Sequence, residues 1–228
     1  MTNYSPAYVL TAILAFVLLA VWQNWREMKR ADFIRSHPLP VGLFEKLRAK
    51  HPNLQQKECQ LVAHALRAFF LAHLKSGRKY VSMPSQVADD LWHEFILYTK
   101  EYAEFCNKAF GRFMHHVPAA VLGGSAASNA GLRRCWWYAC KEENINPAKA
   151  TRLPLLFALD AKLDIPGGFR YIADCAGFRE RAGEGGVVIH CGGDFSSSSF
   201  DGGTDGFGDG DGGGGGDGCG GGCGGGGD

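Results

Sequence analysis

From Ala7 to Trp22 the chain reads AYVLTAILAFVLLAVW, apolar apart from Tyr8 and Thr11, and no charged side chain stands before Arg26. Tyr4 and Trp25 bracket the run. At helical rise, residues 4–25 reach across the roughly 30 Å hydrocarbon layer of a bilayer. Tyr4, Tyr8, Trp22 and Trp25 fall at its two ends, where amphipathic rings favour the headgroup level. A cleaved signal peptide opens with a positive segment, and none stands ahead of this run. Arg26, Lys29 and Arg30 come directly after it. That asymmetry predicts a single-pass anchor, N-terminus outside and the rest of the chain cytoplasmic, with the lipid bilayer as partner of residues 4–25.

Charge and glycine divide the remainder of the chain. All 24 Lys and Arg precede residue 183, whereas residues 183–228 hold 8 acids and 23 of the 32 glycines. The sequence therefore predicts three parts: residues 1–30 as anchor with a basic flank, 31–182 as a folded body, and 183–228 as an acidic, glycine-flooded tail. In the tail, apolar side chains are nearly absent after Phe207, so burial cannot offset the entropy of ordering the backbone. The tail is expected to be disordered, an acidic arm for the basic body or for a protein partner. Its Cys219 and Cys223, with His190 and Cys191, offer at most loose metal ligands.

Eight cysteines sit at 59, 106, 135, 140, 175, 191, 219 and 223. In a reducing compartment they are expected as free thiols, buried where they stand singly among apolar residues. No CxxC pair occurs, which argues against a zinc ribbon or finger. Walker, HExxH, GxSxG and Rossmann fingerprints are absent as well.

The body reads as all-α and bundle-like. Leu54, Leu61, Val62, Ala65, Leu66, Phe69 and Phe70 recur at three- and four-residue spacing over 53–76, with Asn53 as N-cap and Gly77 as stop. A second helix is expected from near SMPSQ to Phe110, with Gly111 ending it. A third covers roughly 129–145, and LPLLFALDAKL forms a shorter fourth. DIPGGFRYIADCAGFRE suggests a turn and a last short helix, and RKYVSM is the one stretch with a strand-like pattern. In RRCWWYAC the arginines and aromatics spread around the helix, which favours packing between helices over nucleic-acid stacking. No nucleic-acid partner is expected.

The candidate site lies in DDLWHEFILYTKEYAEFC, residues 89–106. On one straight helix Val87, Leu91, Phe95, Tyr98, Tyr102 and Phe105 share a buried face, and His93 points the other way. Asp89 at i−4 and Asp90 at i−3 are both in reach of its imidazole. A carboxylate behind a histidine fixes its tautomer and raises its basicity, which suits a metal ligand or a general base. Asp90 and His93 are thus the catalytic candidates. If the chain reverses after Gly111, one of His115 and His116 returns toward them. Two imidazoles and a carboxylate make a first shell for zinc or iron, with a position left open. Cys106 falls on another face and belongs to the core.

The same residues resemble a known signature. Asp90, Trp92, His93, Leu97, Tyr102 and Cys106 fit DxWHxxxLxxxxYxxxC, the pattern of the glycine-rich-domain proteins, and Phe110, Gly111, His115 and His116 are similar to the family's FG and histidine turn. The resemblance spans about residues 40–125 and implies a helical domain with a shared constellation, not a known reaction. Phe95 stands where several plant members carry a second histidine. The sequence thus reads as a membrane-tethered cytoplasmic helical scaffold or binding protein. A metal-dependent enzyme built on Asp90, His93 and the histidine turn is the rival reading.

Overall fold

The computed structural model describes residues 6–116, 126–173 and 190–191, and these are mostly helical, with almost no strand. Helix α1, Pro6–Ser36, is one unbroken helix, and from Tyr8 to Lys29 its side chains are exposed. Leu10, Leu14, Phe16 and Leu18 are each at least 60% exposed. A greasy rod of this size is far larger than the apolar patches that soluble monomers leave in water. Length and composition both suffice for a membrane crossing, and the helix lies near the N-terminus. Its last two turns are different: Ala31 and Ile34 are buried against the body. The apolar helix thus runs without a joint into the folded body.

Helices α2 (Leu43–Lys50), α3 (Gln56–Lys75), α4 (Gln86–Leu97), α5 (Thr99–Phe110), α6 (Ala126–Glu142) and α7 (Leu155–Lys162) complete the bundle. Helix α3 is its axis, touching α1, α2, α4, α6 and α7. Cys59, Val62, Leu66, Phe69 and Phe70 on α3 are buried to within 1%, so the apolar spacing places its core face correctly. The cap falls two residues later than Asn53. Gln55 is the N-cap, and its backbone N–H donates to Glu58 Oε2 at 2.7 Å. Gly77 closes the helix in the left-handed region, φ 69°.

The expected single helix to Phe110 is two. Tyr98, at φ −79° and ψ 63°, leaves the helical region, and α5 starts afresh at Thr99. The Tyr98 hydroxyl is committed elsewhere, donating to the Val41 carbonyl at 3.2 Å. The turn re-aims α5 so that Tyr102, Phe105 and Cys106 all bury. No strand forms at RKYVSM. The two-residue strand β1, Tyr171–Ile172, instead pairs in parallel with β2, His190–Cys191. The expected helix after DIPGG lies partly, and the tail almost wholly, outside the described residues.

The cysteines at 59, 106, 135 and 140 are free and buried. Burial raises the Cys106 thiol and pushes Cys140 up to about 12, so neither is a nucleophile at neutral pH. Trp136 is fully buried, edge-on to Phe157 at 5.1 Å, and its indole donates to the Pro147 carbonyl. Arg35 and Lys75 meet on Glu142, at 2.7 and 2.5 Å, tying α1, α3 and α6 together. Burial pushes the Glu142 carboxyl up. The hydrogen bonds and charges of Lys75 and Arg35 outweigh that and hold it below the usual range.

Candidate functional site

Helix α4 begins with Ser85, whose hydroxyl accepts the Ala88 N–H at 3.2 Å. Asp89 sits in its first turn, where the helix dipole favours a carboxylate. His93 lies one turn on, its Nδ1 3.4 Å from Asp89 Oδ2. After α5, Gly111 adopts φ 72° as C-cap, and the chain doubles back to bring His116 Nε2 to 3.0 Å from Asp89 Oδ1. The two imidazole centroids are 4.2 Å apart. One carboxylate thus faces two imidazoles, with one potential ligand atom from each residue, all within 4.8 Å of one another.

Asp90 is not part of this group. Its carboxylate turns to α2, where Oδ2 meets His51 Nε2 at 2.9 Å and Oδ1 lies 3.7 Å from Lys50 Nζ. Spacing alone leaves Asp89 and Asp90 equivalent. His51, 39 residues upstream, separates them. His115 also stays out, its ring tilted against Phe113 at 4.9 Å between centroids. His116 is the histidine that returns.

The surroundings are half-open. His116 is 15% exposed and Asp89 22%, whereas His93 is 44% exposed and forms the solvent side. Trp92 walls the inner side, its ring edge-on to His116 at 4.6 Å. Trp92 donates its indole N–H to the Tyr102 hydroxyl at 3.1 Å, and that hydroxyl donates to the Met114 carbonyl at 2.7 Å. Burial raises the Tyr102 phenol well above its ordinary range, so it stays a neutral donor. This chain of hydrogen bonds holds the turn two residues before His116. Tyr102 belongs to the signature read from the sequence, but nothing in the sequence shows that its hydroxyl anchors the turn.

The spacing of the ligand atoms bears on the chemistry. Around a tetrahedral zinc at ~2.1 Å from each donor, neighbouring ligand atoms stand roughly 3.4 Å apart. The Asp89–His93 contact matches that edge, and it is longer than a good N–H···O bond. Three protein donors of this type leave room for water or substrate on a metal.

The fold and the site define a class: a helical bundle continuous with an apolar N-terminal helix, carrying an aspartate between two histidines. Residues 29–195 match the model of the UCP032817-like family, and the chain belongs to that family. No curated protein and no solved structure matches it.

Proposed function

We propose that this protein is a membrane-anchored, cytoplasm-facing domain that binds a divalent transition metal, zinc or iron, through Asp89, His93 and His116. The observation that carries the reading is the single carboxylate set between two imidazoles at 3.0 and 3.4 Å. A structural zinc site closes with four protein ligands, whereas three leave an exchangeable position, the arrangement used for Lewis-acid or redox chemistry. His93, half-exposed, opens that position to solvent. The proposed orientation of the anchor rests on Arg26, Lys29 and Arg30 beside the span. The likeness to the glycine-rich-domain proteins belongs to the same reading, since His93 and His116 both fall within their pattern.

Elemental analysis of the detergent-purified full chain tests it. About one equivalent of zinc or iron is expected, lost in His93→Ala and His116→Ala with helicity retained. A metal-free wild type returns the protein to a scaffold that acts by binding partners.

A further inference from the structure

Helix α1 reaches the body within about 7 Å of Trp25, since five residues at helical rise separate Trp25 from Arg30. The surface around Arg30 therefore lies at the level of lipid headgroups, which extend several ångströms beyond the hydrocarbon on each side. That surface is built from arginines. The Arg30 guanidinium lies over Gly111, with Nη2 only 2.6 Å from where a Cβ would stand. Next to Gly111, Arg112 donates to the Arg78 carbonyl, and Arg78 and Arg30 repel one another. Arg26 stacks on Trp22 at 4.5 Å and Lys29 over Trp25 at 5.7 Å, which places both cations beside the interfacial rings.

Among the described residues these charges have no acid to answer them. None of Arg26, Arg30, Arg78 and Arg112 enters an ion pair among the described residues; Glu27, next to Arg26, enters none either, and Asp32, two residues from Arg30, pairs with Arg35. The Arg78 Nε is buried and without a hydrogen-bond partner. The helices α3 and α5 end at Lys75 and Phe110, a few residues before Arg78 and Arg112, and a helix C-terminus favours a cation nearby. An anion that joins such a cluster relieves its self-repulsion, and guanidinium forks match phosphate oxygens.

We infer that Arg30, Arg78 and Arg112 form a binding site for the phosphate of an anionic phospholipid, which seats the body against the membrane surface. The inference rests on α1 being the membrane anchor. Phosphatidylcholine carries a phosphate too, but its choline cancels the charge, so phosphatidylglycerol is the preferred ligand.

The test uses the full chain in non-ionic detergent, titrated with phosphatidylglycerol, phosphatidylcholine or inorganic phosphate while the melting midpoint is followed. Phosphatidylglycerol alone is expected to raise the midpoint. Arg112→Gln and Arg30→Gln should each need about tenfold more lipid for the half-maximal shift, and Arg48→Gln on α2 should need no more than wild type. Single variants keep the result readable if the triple variant fails to fold. Equal shifts by both lipids, or unchanged titrations in the variants, overturn the site. An equal shift by inorganic phosphate also overturns it, in favour of a soluble anion. Alkaline carbonate extraction of membranes checks the anchor separately, because release of the chain refutes α1 as a span whatever the lipid titration gives.

Discussion

Asp160, on α7, accepts the Ser85 hydroxyl at 2.7 Å and thereby fixes the end of α4 that carries Asp89. The same carboxylate accepts the backbone N–H groups of Gln86 at 2.7 Å and Phe169 at 2.9 Å, and it is 2% exposed. Its charge is offset by these donors and by the N-terminal dipole of α4. Gly168 stands against it so closely that a Cβ there would come within 2.7 Å of the Asp160 Cβ. Asp160→Asn turns an NH2 group toward N–H donors. It should cost about 2–3 kcal/mol and lower the melting midpoint by roughly 5–10 °C. Ser85→Ala, which removes one partner, should cost about 1 kcal/mol. An Asp160→Asn protein melting with the wild type would show that the carboxylate is not holding the helix end.

The adjacent aspartates face different partners, and the proposed site predicts different effects for them. Asp89→Asn weakens both imidazole contacts and should abolish metal retention. Asp90→Asn breaks the partly exposed link to His51 and Lys50, costs at most about 1 kcal/mol, and should leave the metal in place. Elemental analysis of the two variants side by side checks this, and the reverse pattern would move the site to Asp90.

The range of each contact decides whether the sequence reveals it. The apolar stripe of α3 and the uncharged run of α1 are local patterns, and both are legible. His93 with an aspartate one turn back is legible as a pair. The identity of the aspartate is not, because His51 and His116 decide it from 39 residues upstream and 27 downstream. The break at Tyr98 has no proline or glycine to announce it, and its hydroxyl contact to Val41 is 57 residues away. Asp160 reads as one more polar residue of an apolar helix, since its four donors come from the start of α4 and from the loop after α7.

His73 gives the fold a pH dependence. It is 7% exposed, its Nδ1 is 3.0 Å from the Lys79 carbonyl, and it sits edge-on to Phe110 at 5.0 Å. Burial, helped by the charges of Arg112 and Arg78, lowers its pKa to about 4 despite the Lys79 carbonyl. Unfolded, it titrates near 6.5, so between pH 6.5 and 4 the unfolded chain holds more protons than the folded one. Stability is therefore fully present above about pH 6.5 and falls by about 3 kcal/mol as the pH drops through that window. Unfolding midpoints at about pH 7.5, 6 and 5 should decline more steeply for wild type than for His73→Gln, and parallel curves would contradict the assignment.

Tyr102 bears on the proposed metal site through the turn it holds. Tyr102→Phe keeps the ring that packs edge-on to Phe95 at 5.2 Å but removes the hydroxyl between the Trp92 indole and the Met114 carbonyl. Two buried polar groups lose that partner, at a cost of about 2 kcal/mol and a fall of roughly 4–8 °C in the midpoint. The segment from Met114 to His116 then loses its fixed distance from α4, and metal binding should weaken about tenfold, as for other groups that orient ligands. Leu159→Ala supplies the comparison, because it opens a cavity of at least similar cost on α7 without touching the turn. A Tyr102→Phe protein that binds zinc as tightly as Leu159→Ala does would reduce the tyrosine to a packing residue, whereas a selective loss of affinity makes its hydroxyl the support that keeps His116 within reach of Asp89.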